Sequence, residues 1–312
     1  MQKPLDFKAR ALVTAIAAAK EPAIDAIPID QARAQVESGY TRMKIPVKPV
    51  GSIRNFVIPS PGGDLPVRAY IPDGKAPFPV MVFFHGGGWV FFRLNHYDPI
   101  CTHLCAESEC VVFSIDYRRS PEYKFPAATN DCFAATCWVK DHCQEYGGDP
   151  DLMFLAGDSA GGTLSTVTAL RIRDKGGPKV KGQIILYPVT DYLYPEKNSY
   201  KEFGVGYSLT MDAMRWFWNQ YLENIEDAKN PYVTPLLIND LSGLPPALVI
   251  VSGYDPLRDE GLAYAKRMKE AGVKVQLSLY EDMIHGFLSY LGLFKQADTA
   301  IDEISQWVKQ NT

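Results

Sequence analysis

Residues 154–162 read Phe-Leu-Ala-Gly-Asp-Ser-Ala-Gly-Gly, and this stretch decides the fold. Gly157, Ser159 and Gly161 form a G-x-S-x-G pattern that follows an apolar run and precedes a helical pattern. A sharp strand-to-helix turn of this kind raises a serine hydroxyl above a sheet, and small neighbours avoid clashes in the strained turn. A glycine-rich structural turn would also satisfy the pattern. Its setting between a strand and a helix predicts that Ser159 is a nucleophile.

The sequence on both sides of this stretch alternates between strand and helix patterns. Several of the strands are continuous apolar runs, which are typical of parallel sheets covered on both faces. The predicted strands are 52–59, 65–71, 80–84, 110–115, 152–155, 182–186, 247–251 and 274–278. The predicted helices between and after them are 98–109, 127–145, 159–174, 260–271 and 295–310. This alternation predicts an open α/β sheet with right-handed crossovers.

Two segments do not follow the alternation. Residues 1–48 are largely helical, and residues 191–241 are rich in Tyr and Trp, with a helix near 211–222. The sequence contains no internal repeat and no interdomain linker. We therefore expect one catalytic domain, residues 49–312, that carries a lid.

The first 20 residues have a basic, Ala-rich character that resembles a weak signal peptide. Asp6 and the shortness of the apolar run argue against that interpretation. Five apolar residues instead recur at helical spacing and predict one face of an amphipathic helix. These residues are Phe7, Leu12, Ala15, Ile16 and Ala19.

The composition excludes several classes of protein. The chain has 312 residues, with 32 Lys and Arg against 36 Asp and Glu, and a net charge of −4. Its basic residues are scattered, which argues against a nucleic acid partner. No apolar run reaches the roughly 18 residues that a membrane span requires. The chain therefore reads as an ordinary globular protein.

Six cysteines lie between Cys101 and Cys143, without a CxxC pair or a regular framework. His96, His103 and His142 lie in the same region and suggest a metal site, but zinc-ligand spacing is absent. We interpret the cysteines as reduced, partly buried thiols on two helices and expect no metal. Thiols in this number suit a reducing cytosol, so a cytoplasmic location is expected.

A second glycine-rich stretch, His85-Gly86-Gly87-Gly88-Trp89, follows the third predicted strand. We call residues 85–89 the glycine loop. Acyl transfer creates an oxyanion, and glycines let backbone amides approach it closely. In the nucleophile-elbow architecture this loop and the residue after the serine, here Ala160, supply those amides. His85 is interpreted as a brace for the loop.

A nucleophilic serine needs a base, and the base needs an orienting carboxylate. His285 is the only histidine after Ser159, so it has no competitor in the order Ser, acid, His that this architecture requires. Asp255 follows the seventh predicted strand at the carboxyl end, where sites gather. The other candidate acids are Asp259, Glu260 and Asp282, of which the first two are expected to open the next helix. Asp158, beside the serine, is expected to have a structural hydrogen-bonding role.

Together these segments resemble the hormone-sensitive lipase family of α/β-hydrolases, also called the family IV carboxylesterases. The resemblance covers roughly residue 80 to the C-terminus and rests mainly on residues 85–89 and 157–162. Supporting segments are 116–118, 121–122, 125–128, 255–259 and 285–287. The resemblance implies a mostly parallel eight-stranded sheet with helices on both faces. It also implies a helical cap made of residues 1–48 and about 191–222.

Carried over residue by residue, the resemblance implies Ser159 as nucleophile, His285 as base and Asp255 as its partner. It implies oxyanion donors from the glycine loop (Gly86, Gly87 and Gly88, chiefly the last two) together with Ala160. It further implies a small-molecule ester substrate with a short to medium acyl chain, no cofactor, and a homodimer through the last strand and helix as one option. The chain departs from the family at Arg119-Ser120, at Tyr123-Lys124 and at the bulky Phe91-Phe92-Arg93.

Aromatic residues crowd the expected cleft and cap. They are Trp89, Phe91, Phe92, Tyr194, Tyr200, Trp216, Trp218 and Phe287. Most are interpreted as packing residues, with Trp89, Phe91 and Phe287 as the candidate substrate contacts. Two other functions stay open. The first is an amidase or deacetylase that uses the same triad. The second is a non-catalytic ligand receptor, which the presence of His285 disfavours.

Overall fold

The computed structural model describes residues 3–192 and 198–312 and contains one eight-stranded sheet. The strands are β1 (Ser52–Ser60), β2 (Gly63–Ile71), β3 (Phe78–Phe84), β4 (Val111–Ile115), β5 (Gly148–Asp158), β6 (Gly182–Leu186), β7 (Ala247–Tyr254) and β8 (Val275–Ile284). Their spatial order is β1-β2-β4-β3-β5-β6-β7-β8. The pairs β1–β2 and β2–β4 are antiparallel and the remaining pairs are parallel. The prediction of a mostly parallel eight-stranded sheet is confirmed.

Helices cover both faces of this sheet. They are α1 (Phe7–Ala19), α2 (Ile29–Met43), α3 (Asp98–Ser108), α4 (Ala127–His142), α5 (Ala160–Lys175), α6 (Asn198–Phe203), α7 (Met211–Tyr221), α8 (Arg258–Glu270) and α9 (Lys295–Gln310). One apolar core lies between the sheet and α4, α5 and α8, and the other between the sheet and α3 and α9. Along β3 the side chains alternate between the two cores, as the two-residue period of a strand requires. The continuous apolar run of this strand follows from its burial on both sides.

The predicted helix at the N-terminus is confirmed, but its predicted apolar face is not buried. Phe7 is 74% exposed and Ile16 is 51% exposed. Asp6 caps the helix by accepting from the Lys8 amide at 2.8 Å, and the Lys8 ammonium donates to the Leu293 carbonyl at 2.8 Å. These anchors fix the rotation of the helix so that its Ala9 side contacts the protein. The apolar period predicted the helix correctly and its buried face wrongly.

The segments predicted as the cap flank the glycine loop. Helix α2 is attached to the loop after β4 by Arg33, whose guanidinium contacts the Glu122 carboxylate at 2.6 and 2.8 Å. On α7 the Phe217 ring rests on Gly88 so closely that a Cβ there would overlap it. Residues 193–197, with the predicted aromatic Tyr194, lie outside the described residues.

The cysteine-rich region forms no disulfide. All six cysteines, each within the described ranges, are free thiols, and five of them are buried. No group of three or more His, Cys, Asp or Glu residues that could hold a metal ion occurs in the part of the chain described. His96 instead pairs with Glu37, and His103 contacts the Pro99 carbonyl at 2.7 Å. Within residues 3–192 and 198–312, no helix is long and apolar enough to cross a bilayer.

Candidate active site

Ser159 lies on the turn between β5 and α5, in a strained backbone conformation. Its φ is 53° and its ψ is −122°, a region that residues other than glycine rarely adopt. The turn is tight because Ser159 alone separates the end of strand β5 from the start of helix α5. A Cβ on Gly157 would overlap the Gly161 carbonyl, and one on Gly161 would overlap the Phe84 carbonyl. Both glycines of the G-x-S-x-G pattern are therefore required by close backbone approach.

His285 and Asp255 meet Ser159 through a continuous chain of hydrogen bonds. Each side chain follows directly after the carboxyl end of a parallel strand: Ser159 after β5, Asp255 after β7 and His285 after β8. Nε2 of His285 is 2.9 Å from the Ser159 Oγ, and Nδ1 is 2.7 Å from the Asp255 Oδ2. The structure thus brings together the three residues that the sequence predicted as a triad.

The Asp255 carboxylate is fully buried and fixed by a second hydrogen bond. Its Oδ1 accepts from the Leu257 amide at 2.8 Å. The other candidate acids have different partners. Asp259 accepts from the Ser199 amide at 3.0 Å, and Asp282 accepts from the Gln296 side chain at 2.9 Å. Glu260 accepts from the Thr190 amide at 2.7 Å. Asp259 and Glu260 lie in the first turn of α8, as expected.

Two further contacts hold His285, one to its ring and one to its backbone. The Tyr187 ring packs edge-to-face against the imidazole, with 5.1 Å between ring centroids. Ser208, from the segment between α6 and α7, donates its hydroxyl to the His285 backbone carbonyl at 2.9 Å. His285 is thereby fixed both by the ring of Tyr187, which follows β6, and by the segment between α6 and α7.

The glycine loop places two backbone amides beside the serine turn without a protein acceptor. Within the described ranges, no hydrogen bond engages the amide of Gly87 or Gly88. Ala160 is the first residue of α5, where helix geometry leaves the amide without an intrahelical acceptor. These three amides can therefore donate to an oxyanion.

The prediction of Gly86 as an oxyanion donor is wrong. Its amide donates to the Asp158 Oδ1 at 2.9 Å and to the Tyr97 hydroxyl at 2.8 Å. Tyr97 also donates to the Asp158 Oδ2 at 3.0 Å. Asp158 thus ties the serine turn to the glycine loop, which agrees with its predicted structural role. Burial raises the pKa of this carboxyl to about 6.

His85 braces the loop from inside. Its ring is fully buried and stacks on Tyr117 with 4.3 Å between centroids, while Nδ1 contacts the Gly86 carbonyl at 2.8 Å. Burial lowers the pKa of His85 to about 3, so the ring is neutral at physiological pH. This arrangement agrees with the bracing role and places His85 outside the triad.

The predicted substrate contacts are buried packing residues. Trp89 stacks on Tyr221, with 4.2 Å between centroids, and Phe287 is 0% exposed in the core beneath α9. Phe91 is 4% exposed and stacks on Trp216. The burial of Trp89 and Phe287 contradicts their assignment as substrate contacts in this structure, because aromatic neighbours already occupy their ring faces.

Sequence reasoning missed the aromatic residue that lies on the glycine loop. Phe217 covers Gly88 and packs edge-to-face on Phe91, with 5.4 Å between centroids. Its neighbours Trp216 and Trp218 are among the aromatic residues predicted from the sequence to lie in the cleft and cap, but Phe217 is not. The helical period of α7 was the signal available, because Phe217 lies on the buried face together with Met214 and Tyr221.

Comparisons with known proteins agree with this geometry. The family model described as the α/β-hydrolase fold matches residues 81–289. The carboxylic ester hydrolase LipN of Mycobacterium tuberculosis is 42% identical over 247 residues, which are 77% of this chain and 65% of LipN. The arylesterase of Saccharolobus solfataricus is 38% identical over 78% of this chain and 79% of its own. This chain thus spans just under two thirds of LipN and most of the arylesterase.

Solved structures extend the likeness over the whole chain. The hyperthermophilic esterase of the archaeon Pyrobaculum calidifontis superposes with a TM-score of 0.95 at 36% identity, covering 99% of both chains. A thermostable esterase from Pseudomonas putida gives a TM-score of 0.94 at 32% identity, over 100% of this chain and 98% of that one. By family match, sequence identity and fold, the chain belongs to the hormone-sensitive lipase family of α/β-hydrolases.

Proposed function

We propose that this carboxylic ester hydrolase acts through an acyl-enzyme formed on Ser159. The observation that carries the proposal is the unbroken relay from the Ser159 Oγ through His285 to the buried Asp255. A carboxylate can only accept, so Nδ1 of His285 carries the hydrogen and Nε2 is left to accept from the serine. This tautomer is the one that a general base needs.

Each step follows from the positions of these groups. Nε2 of His285 takes the hydroxyl proton as the Ser159 Oγ attacks the ester carbonyl carbon, and Asp255 stabilises the imidazolium without taking a proton. The amides of Gly87, Gly88 and Ala160 donate to the oxyanion. His285 then gives its proton to the leaving alcohol as the carbon–oxygen bond breaks. Water, activated by the same base, hydrolyses the acyl-enzyme and restores the serine.

We propose that the preferred substrates are esters with a short to medium acyl chain. Phe217 from α7 packs directly on the carbon of Gly88, beside one of the proposed oxyanion donors. Phe91 and Trp216 back this ring, at 5.4 and 5.3 Å between centroids, and limit its movement. An acyl chain held at the glycine loop therefore meets aromatic walls close to its carbonyl.

The test is a p-nitrophenyl ester series from acetyl to palmitoyl, assayed with the wild type and Ser159→Ala. We expect a peak at short or medium chains and a loss of kcat by a factor of about 10⁶ in the variant. Ser165→Ala is the matched control, because Ser165 lies on α5, the helix that follows Ser159, is fully buried and has a hydroxyl without a hydrogen-bond partner in the described structure. Activity that survives Ser159→Ala would contradict the proposal. Faster turnover of matched anilides than of esters would favour the amidase alternative.

A further inference from the structure

A cavity of about 310 Å³ lies between α2 and the chain that follows the glycine loop. We call it the α2 cavity. Its lining includes Arg33, Glu37, Phe91, Phe92, Arg93 and Arg119. No member of the triad lines it. Its volume is at the small end of the roughly 300–1,000 Å³ that is typical of ligand pockets.

Most of the charges on its wall are already paired. Arg33 is held by both oxygens of Glu122, at 2.6 and 2.8 Å. Arg93 contacts the Asp116 carboxylate at 3.2 Å. Glu37 is paired with His96, which also lines the cavity. The wall therefore holds two compensated arginines and one compensated carboxylate.

Arg119 is different. Its guanidinium donates to the Phe92 carbonyl at 2.9 Å, and no carboxylate oxygen in the described chain lies within the 4.0 Å of an ion pair. The side chain is partly buried. Burial and the nearby positive charge of Arg93 both lower the pKa of Arg119. Asp116 attracts Arg119 only from beyond ion-pair distance and raises its pKa in part. A partly buried charge without a direct ion pair carries a desolvation cost, and a bound anion would reduce that cost.

The shape of the cavity selects among anions. A guanidinium presents its donors in a flat fork that fits a carboxylate through two parallel hydrogen bonds. Phe91, Phe92 and Val36 supply apolar surface next to that fork. We propose that the α2 cavity binds a small organic carboxylate, with Arg119 as the anchor and the phenylalanine rings against the apolar body.

Part of this site is made of residues that are atypical of the family pattern. Arg119 and the Phe91-Phe92-Arg93 run are positions at which the sequence departs from the family that it resembles. The cavity also adjoins the glycine loop, because a Cβ at Gly87 would lie only 2.7 Å from the Phe92 ring. The site is thus separate from the triad, yet in contact with the loop that holds the oxyanion donors.

The proposal is tested by isothermal titration calorimetry with benzoate and with benzamide, its uncharged counterpart. We expect a benzoate Kd on the order of 1 mM and no measurable binding of benzamide at the same concentrations. Arg119→Gln is expected to weaken benzoate binding by about tenfold or more. Arg42→Gln is the matched control, because Arg42 lies on α2 outside the cavity and pairs with Glu21. This control is expected to leave the Kd unchanged.

A second variant keeps the test informative if Arg119→Gln does not fold. The Arg93 side chain is 63% exposed, so Arg93→Gln is expected to fold normally and to weaken benzoate binding by about threefold, through loss of a nearby positive charge. Equal Kd values in the wild type and both cavity variants would overturn the proposal, because benzoate bound at the triad does not depend on these arginines. Benzamide binding as tight as that of benzoate, or no benzoate binding up to about 50 mM, would overturn it as well.

Discussion

Asp158 stands beside the nucleophile in sequence and holds the opposite loop in space. Its carboxylate accepts hydrogen bonds from Gly86 and Tyr97, 72 and 61 residues away. The sequence predicted a structural role because neighbouring residues on a sharp turn point apart. It could not show that this role occupies the Gly86 amide, because the partners come from distant parts of the chain. For the same reason the sequence could not separate Gly86 from Gly87 and Gly88.

The raised pKa of Asp158 predicts that this residue makes a pH-dependent contribution to the free energy of unfolding. The folded state holds this proton up to about pH 6, whereas the ordinary value is 3.8. The contribution to stability is therefore fully present below pH 3.8 and is lost as pH rises through 6. Asp158→Asn cannot titrate. We expect the stability of the wild type to rise by about 2 kcal/mol relative to that of this variant between pH 7 and pH 4, because each unit of pKa difference corresponds to about 1.4 kcal/mol and the folded and unfolded states differ in protonation over only part of this range.

Urea unfolding of both proteins at pH 4, 5, 6 and 7 checks this expectation. Groups that titrate equally in both proteins contribute equally to both free energies of unfolding, so their contributions cancel in the difference. A difference in the free energy of unfolding that stays constant across the range would show that the Asp158 pKa is not raised.

Asp255 is expected to act by orienting His285. Asp255→Asn places an amide where the imidazole Nδ1–H needs an acceptor, which favours the wrong tautomer and is expected to lower kcat by about 10⁴ with little change in fold. Asp282→Asn is the control, since Asp282 lies near His285 in sequence but contacts Gln296. Steady-state kinetics on a p-nitrophenyl ester measures both. A larger loss of kcat in Asp282→Asn than in Asp255→Asn would reverse the assignment of the acid.

At the scale of elements, the sequence predicted where strands and helices lie more reliably than it predicted which of their faces are buried. The buried strands carry continuous apolar runs, so their positions could be read directly. Strand β8 runs on to Ile284, six residues beyond its predicted end, because the exposed or half-buried residues 279–282 interrupt the apolar pattern before the buried Met283 and Ile284. The exposed face of α1 shows the same limit. An apolar period shows that a helix forms, whereas polar anchors such as Asp6 and Lys8 decide which side is covered.

The same substitution, glycine to alanine, is expected to damage activity at Gly161, where β3 contacts the start of α5, and to be harmless at Gly39. Gly161→Ala drives a Cβ into the Phe84 carbonyl and must shift the serine turn, so we expect kcat/KM to fall by about 10² or more. Gly39→Ala lies within α2, where only the end of the Arg42 side chain comes within 4 Å. It is expected to stabilise the fold by about 0.5–1 kcal/mol and to leave kcat/KM unchanged.

Thermal unfolding measures the stability of the two variants, and steady-state ester kinetics measures their kcat/KM. If Gly161→Ala retained the wild-type kcat/KM, the turn would be more tolerant than its packing indicates.

At the scale of the whole molecule, the contact between α7 and the glycine loop is expected to set the acyl-chain preference. Phe217→Ala removes the ring from Gly88 and opens space beside the oxyanion donors. We expect kcat/KM for an octanoyl ester to rise by about tenfold relative to that for the acetyl ester. Phe133→Ala is the control, because Phe133 lies on α4 and packs under Arg171. An unchanged ratio of the two esters in Phe217→Ala would place the acyl pocket elsewhere.

The overall architecture could be predicted because two motifs and the strand–helix alternation agree with one another. His285 could be chosen because no other histidine follows Ser159 in the chain. The α2 cavity could not be predicted, since its residues come from 33–37, 91–96 and 119 and meet only after the sheet has formed. Local patterns reveal the elements, whereas a pocket lined by separate segments depends on how those elements pack.

The order of the triad along the chain has a consequence for synthesis on the ribosome. The nucleophile and its base are 126 residues apart, and the base follows the last strand of the sheet. At about 5–20 residues per second, the ribosome makes Ser159 about 6–25 seconds before it makes His285. During that interval the nascent chain carries Ser159 without the base that activates it in the folded protein. The triad therefore cannot acylate itself with cellular esters until His285 has been translated.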